Sequence, residues 1–217
     1  MKSPSLASQT SAMAAFDLTT IGHSNIPAER FVALLQDAGV NMIVDVRSLP
    51  FSRRFPWFSA KTLAGSLARA GIAYVPMGET LGGRPRDDSL YRDGIADYGA
   101  MAVRPEYLAS LDRLIAAAAR SRVCVMCAER EPLDCHRCLL IARSLAERGL
   151  AVGHIRHDGT TEPHAVTEKR LLALEADAAE PFAALQRERL AAAYRSRARA
   201  VAFRQEVPAP RGAAENG

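Results

Sequence analysis

No stretch of this 217-residue chain approaches the roughly 20 consecutive apolar residues of a membrane helix, so no membrane association is expected. The N-terminal residues, Met1 to Phe16, lack the apolar run of a secretory signal peptide, and residues 1–15 read as a disordered extension. Cysteine is scarce and confined. The four stand at 124, 127, 135 and 138, one short window rather than the spread of a disulfide framework, which reads as reduced thiols in a cytoplasmic protein. There is no internal repeat and no cofactor fingerprint. Oligomeric state leaves no mark in the sequence.

What is present fits one globular domain. Hydrophobic residues make up 48% and charged residues 24%, ordinary values for a globular chain. A chain of this length buries about 70% of its unfolded surface and needs no covalent staples. The net charge of +4 is concentrated near the C-terminus. Six arginines and one acid lie between Arg187 and Arg204, and the rest of the chain is close to neutral. Any electrostatic argument for nucleic acid therefore rests on that segment.

Hydrophobic patterning predicts alternating strands and helices. Strands are expected at Phe16–Gly22, Met42–Val46, Ile72–Val75, Arg122–Cys127 and Val152–Ile155. Helices are expected after Pro27 up to Gly39, after a Ser59 cap up to Gly71, and from Pro105 to Ala119. Further helices are expected from Cys135 to Glu147 with Asp134 as cap, near Val166–Ala176, and from Pro181 to Phe203. Gly78 to Gly94 reads as a long glycine-rich loop, of the length that often carries function. The expected fold is a single α/β domain over residues 16–176, Rossmann-like, with about five mostly parallel strands covered by helices on both faces. A basic helix over 177–204 packs on it, and 205–217 form a disordered tail.

In parallel sheets, ligands bind beyond the carboxyl ends of the strands. Each expected strand ends in ionisable groups: His23, then Asp45 and Arg47, then Glu79, then Cys127 and Glu129, then Arg156 and His157. That coincidence predicts one shared cleft.

Five ordered motifs sit at these ends: Thr20 to Asn25, Val44 to Ser48 with Pro50 and Ser52-Arg53, Leu81-Gly82-Gly83, Cys127 to Arg130, and Cys135-His136-Arg137. Together they resemble the domain-of-unknown-function family 488 over about Thr19 to Ile155. The resemblance implies an α/β fold and carries little biochemistry. Val44 to Arg47 also resembles the opening strand of rhodaneses, but no compact cysteine-centred loop follows strand four.

Within the motifs, a Cys135 at a helix start would have a lowered thiol pKa, His136 would be an acid–base group, and Arg137 could fork onto a phosphate or carboxylate. A phosphatase loop would need arginine six positions after its cysteine, where Leu133 and Ile141 stand. Cys124 and Cys127 on one strand lie about 10 Å apart and face opposite ways, so they cannot share a zinc ion. A zinc site using Cys127, Cys135 and a histidine stays open, and no metal ligand is assigned. Asp45 and Glu129 read either as general acid and base or as ion-pair scaffolds.

Gly22, His23, Ser24 and Asn25 would let a ligand approach backbone at the end of strand one. Arg47, Ser52, Arg53 and Arg54 interleaved with Phe51, Phe55, Trp57 and Phe58 suit phosphate contact with base stacking, or a lid. Gly82 and Gly83, followed by Arg84, resemble a phosphate-contacting turn.

The expected function is an enzyme, a hydrolase or transferase, acting on an anionic, nucleotide-like or phosphate-bearing small molecule. His23, Asp45, Cys127, Glu129, Cys135 and His136 are its candidate catalytic residues. Gly22, Ser24, Asn25, Arg47, Ser52, Arg53, Gly82, Gly83, Arg130 and Arg137 are its candidate ligand contacts. The alternatives are a non-catalytic nucleic-acid or nucleotide binding module and a zinc-binding protein.

Overall fold

A computed structural model describes residues 16–175 and 186–205. The expected N-terminal extension, most of the expected tail and the residues joining the last two helices lie outside the described residues. Among the described residues there are eight strands: β1 Leu18–Gly22, β2 Met42–Asp45, β3 Ala73–Pro76, β4 Tyr91–Arg92, β5 Ile95–Ala96, β6 Val123–Cys127, β7 Val152–Ile155 and β8 Thr161–Pro163. The α-helices are α1 Ala28–Asp37, α2 Ala60–Arg69, α3 Gly78–Leu81, α4 Tyr98–Ala102, α5 Pro105–Ala118, α6 Arg143–Glu147, α7 His164–Leu174 and α8 Gln186–Val201. None of the described helices is long and apolar enough to cross a membrane.

The main sheet has the order β3-β2-β6-β1-β7-β8. All its pairings are parallel except β7 with β8. Alternating side chains feed two cores, as the two-residue repeat of a strand requires. Val123, Val125 and Cys127 of β6 point to the face covered by α5, α6, α7 and α8, which contribute Leu111, Leu145, Leu171 and Tyr194. Cys124 and Met126 point to the opposite face, under Phe31 and Leu35 of α1 and Leu67 of α2. Cys124 and Cys127 thus occupy different cores, as the strand geometry predicts. The fold is the Rossmann-like α/β layering expected.

The order of the strands places the site. The chain leaves β1 toward β2 on one side, while after β6 it crosses to β7 on the other. The helix after β1 lies on one face and the helix after β6 on the other. The carboxyl tips of these adjacent strands therefore open into a crevice with no chain crossing it.

Several local expectations change. Ser59 stands at the N-cap of α2 without a capping bond; its hydroxyl accepts from the Ser52 backbone N–H at 3.2 Å. The expected long loop is broken by α3, a 3₁₀ turn at Asp88–Leu90 and the β4–β5 hairpin. Asp134 closes a 3₁₀ turn, Pro132–Asp134, instead of capping a helix, and its carboxylate meets Arg197 of α8. The helix after it starts as a π-helical segment, Arg137–Ala142, before becoming α6.

Candidate active site at the tips of β1, β2 and β6

A cleft of about 800 Å³ opens above these tips. Its floor is a knot of four side chains from the end of β6 and the loop that returns from it. Glu129 Oε2 lies 2.9 Å from Cys127 Sγ and 3.0 Å from Cys135 Sγ. His136 Nδ1 lies 3.7 Å from Cys127 Sγ and 3.8 Å from Cys135 Sγ. The 3₁₀ turn at Pro132–Asp134 makes this possible by folding the chain back so that residues eight apart touch. His136 Nε2 lies 3.0 Å from the Val46 carbonyl, which can only accept, so Nε2 carries hydrogen and Nδ1 faces the thiols.

Cys135 is extended (φ −142°, ψ 139°) and precedes the helix instead of sitting in its first turn. The helix start still serves it. The Arg137 backbone N–H donates to Cys135 Sγ at 3.4 Å, and the N–H groups of Cys138 and Leu139 donate to its carbonyl. Burial alone would raise the Cys135 thiol, but the Cys127 thiol, the Arg137 guanidinium and His136 overcome it and hold Cys135 well below the usual thiol range. The same burial pushes Cys127 well up, since two anions cannot stand side by side in this knot. Glu129 exposes part of its side chain to the cleft, yet its carboxyl end lies between the sulfurs. Loss of water there, with the Cys135 charge, raises its pKa. His136 is raised as well: burial opposes its charge, but the Cys135 thiolate wins.

The tip of β2 supplies a rigid wall. Asp45 Oδ1 accepts from Arg47 Nε at 2.9 Å, and Oδ2 from Arg47 Nη2 at 2.6 Å and Tyr74 Oη at 2.7 Å. Both residues of the pair are buried. Asp45 therefore scaffolds Arg47. The remaining end of that guanidinium, Nη1, meets His23 Nε2 at 3.2 Å. His23 Nδ1 donates to the Ser24 carbonyl at 2.9 Å, and the ring stacks on Phe58 with centroids 4.1 Å apart. Burial and the Arg47 charge lower the His23 pKa to about 4. His23 lines the cleft, but both its nitrogens are engaged, which makes it a poor acid–base group.

The expected cleft residues divide as follows. His23, Ser24, Asn25, Arg47, Ser52, Gly83, Cys127, Glu129, Cys135 and His136 do line it. Gly22, Asp45, Arg53, Gly82, Arg130 and Arg137 are not among its lining residues. Arg137 lies beneath the floor, where Nη1 and Nη2 donate to the Glu129 and Arg130 carbonyls at 2.7 and 3.0 Å. It braces the loop; its Nε has no partner. Gly22 and Gly83 are glycines for the sake of close packing. A Cβ on Gly22 would stand 1.7 Å from the Glu129 carbonyl oxygen, and one on Gly83 2.8 Å from His136 Cγ. Tyr98, Arg54, Arg84, Val201 and Phe203 also line the cleft. Val201 and Phe203, beyond the α/β core, carry no sequence signal that points to a site.

Among the described residues, two groups of side chains have donors close enough for a metal ion. Cys127, Glu129, Cys135 and His136 place their ligand atoms within 4.8 Å of one another, as do Cys138, His154 and His164. Cys127 and Cys135 are the cysteines the sequence left open for a zinc site with an unspecified histidine, and His136 is the histidine beside them. The second group, including His154 and His164, escaped the sequence reading; it is buried away from the cleft. All four cysteines are free thiols.

The model of the family described as "Domain of unknown function DUF488" matches residues 27–144, over half of the chain. The chain belongs to this family. The match ends inside the helix that follows His136, so β7, β8, α7 and α8 lie beyond the family model. No curated protein and no solved structure matches the chain.

Proposed function

We propose that the protein is an enzyme, a hydrolase or transferase, that acts on an anionic, nucleotide-like or phosphate-bearing ligand held in the cleft. The observation that carries this reading is a thiol biased toward thiolate, Cys135, packed against a carboxyl with a raised pKa, Glu129, on the floor of an open cleft. A nucleophile and a proton donor set apart by their surroundings is the arrangement that covalent group transfer needs. Cys135 Sγ attacks the electrophilic centre of the ligand as the bond to the leaving group breaks, and Glu129 gives that group its proton. Water or an acceptor then takes the bound group from sulfur and returns a proton to Glu129, while His136 balances the charge on sulfur. Arginines on the walls favour an anionic ligand. Four free thiols fit a reducing, cytoplasmic setting.

A screen of nucleotides and phosphorylated compounds for thermal stabilisation, followed by turnover assays on those that bind, tests this. Glu129→Gln and Cys135→Ser should abolish turnover and keep the thermal shift. Turnover at the wild-type rate in either variant would overturn the assignment.

A second reading is a zinc centre. It is favoured by the orientation of His136, whose outer N–H is fixed by the Val46 carbonyl while Nδ1 faces two sulfurs, the usual setting of a metal-bound histidine. Elemental analysis of purified protein separates the two, since stoichiometric zinc would occupy the Cys135 sulfur. A nucleic-acid binding module is less favoured: Arg197 and Arg199, two of the six C-terminal arginines, are held by Asp134 and Asp93. That reading requires affinity that falls steeply with salt.

A further inference from the structure

Arg47 is the cleft arginine whose guanidinium is committed to a carboxylate. Arg54 and Arg84 line the same cleft and are exposed, and among the described residues no carboxylate pairs with either. Each is held instead by an aromatic face. Arg84 Cζ stands 4.6 Å from the centroid of Phe203, and Arg54 Cζ 5.4 Å from that of Phe55. The difference matters chemically. A carboxylate partner occupies the in-plane N–H donors of a guanidinium, whereas a ring beneath its plane steadies the cation and leaves those donors pointing outward.

The support under Arg84 is itself fixed at several points. Phe203 O accepts from the Ala96 N–H at 2.9 Å, and the Gln205 N–H donates to Gly94 O at 2.8 Å. These bonds, with the isolated antiparallel bridge of Arg204 to Ile95, lay the C-terminal segment alongside β5 of the β4–β5 hairpin. Tyr91 of that hairpin packs edge-on to Phe203 at 6.4 Å. Upstream, Arg197 of α8 grips the Leu133 carbonyl and the Asp134 carboxylate, directly before Cys135. The backbone of Arg84 is tied to the site from the other side. Its N–H donates to Ser48 Oγ at 3.0 Å, and the preceding Gly83 packs on His136.

We infer that Arg54 and Arg84 form a two-armed clamp for a phosphate or diphosphate group, and that the C-terminal segment, through Phe203, sets the position of the Arg84 arm. Two guanidiniums that line one cleft, each over an aromatic ring and neither paired with a carboxylate among the described residues, suit an oxyanion that offers several oxygens at once. This deepens the function proposed above and rests on its anionic ligand. Phe203 lies beyond residues 27–144, which the family model matches. Phe203 is a positioning residue; Arg84 and Arg54 are the groups that touch the ligand.

Inorganic pyrophosphate, titrated calorimetrically into the full-length protein at low salt, is the probe. Arg84→Ala and Arg54→Ala should each weaken binding about tenfold or more. Arg113→Ala, an exposed arginine on α5, controls for net charge and should bind as wild type. Phe203→Leu keeps apolar bulk and loses the ring; it should weaken binding several-fold with an unchanged melting temperature, and Phe203→Trp should restore it. Binding by Arg84→Ala and Arg54→Ala equal to that of Arg113→Ala would overturn the clamp. Unchanged binding by Phe203→Leu would overturn the role of the C-terminal segment. Failure of the wild type to bind pyrophosphate also overturns the clamp, while the anionic-ligand reading is judged separately by the wider screen.

Discussion

His154 Nε2 and His164 Nδ1 lie 3.0 Å apart in the interior, and the bonds around them fix the direction of the proton between them. Tyr194 donates to Glu168 Oε1 at 3.0 Å, so its oxygen accepts from His164 Nε2, also at 3.0 Å. His164 Nδ1 then has no hydrogen and accepts from His154 Nε2. His154 Nδ1 in turn accepts from the Thr20 hydroxyl at 2.8 Å. The chain from Thr20 to Glu168 ties β1 and β7 to α7 and α8 with every nitrogen satisfied and both imidazoles neutral. It also accounts for the second Cys/His group without an ion.

The two imidazoles of that chain, together with His23 in the cleft, make stability sensitive to acid. Burial lowers His164 to about 4, His23 to about 4, and His154 well below its ordinary 6.5. Below pH 6.5 the unfolded chain takes up protons on these groups that the folded chain refuses, so stability falls as pH drops through 6.5 toward 4. At pH 5 the loss is about 2 kcal/mol for each imidazole lowered to about 4. Glu129 acts in the opposite sense, because its pKa is raised on folding, and so does His136. Denaturant unfolding from pH 7 to pH 5 should show falling stability in the wild type and a shallower fall in His23→Gln. Equal slopes in the two proteins would contradict this account.

Much of the site was legible because a parallel sheet converts positions along a chain into neighbours at one edge. His23, Arg47, Cys127 and Glu129 each stand at or just beyond the end of an apolar strand, and that pattern alone brought them together. What the pattern could not give was direction. Arg137 stands in a conspicuous Cys-His-Arg triplet, yet its side chain turns inward to two backbone carbonyls. Arg53 and Arg54 are adjacent, and one of them faces the cleft. The π-helical turn at Arg137–Ala142 and the edge strand β8 answer to tertiary packing and have no local propensity signal. His154 and His164 did leave a trace, a histidine within a fully buried strand and another at the start of a helix, but their meeting depends on the fold. The cleft wall at Val201 and Phe203 hides at the end of a helix whose composition advertises only charge.

The pair formed by Asp45 and Arg47 should be the most costly polar contact to break. Asp45 takes three donors on its two oxygens from Arg47 and Tyr74 side chains, with 1% of its surface exposed. Asp45→Asn leaves the guanidinium buried without a counter-charge, which costs about 3–5 kcal/mol. Tyr74→Phe removes one hydrogen bond to the carboxylate and should cost about 1–2 kcal/mol. Equilibrium denaturation of the two variants checks both the values and their order. A loss smaller for Asp45→Asn than for Tyr74→Phe would show that the pair is not what holds the tip of β2.

Cys135 should stand apart from its neighbours in reactivity. Cys124 lies wholly in the core under α1 and α2, where burial raises its pKa to about 12, and burial raises Cys138 as well. Neither borders the cleft, whereas Cys135 does. In metal-free protein, iodoacetamide at pH 6 should label Cys135 ahead of the other three, at a rate that climbs less steeply up to pH 8 than that of a free thiol. An unperturbed thiol would gain about a hundredfold in thiolate over that interval. Cys127→Ala removes the thiol hydrogen that supports the Cys135 anion, so its pKa should rise. The variant should therefore label more slowly than the wild type at pH 6 and gain more rate as pH rises to 9. Peptide mapping by mass spectrometry reads each site in one experiment. A Cys135 rate that climbs with pH like that of a free thiol, in both proteins, would remove the basis for treating it as the nucleophile.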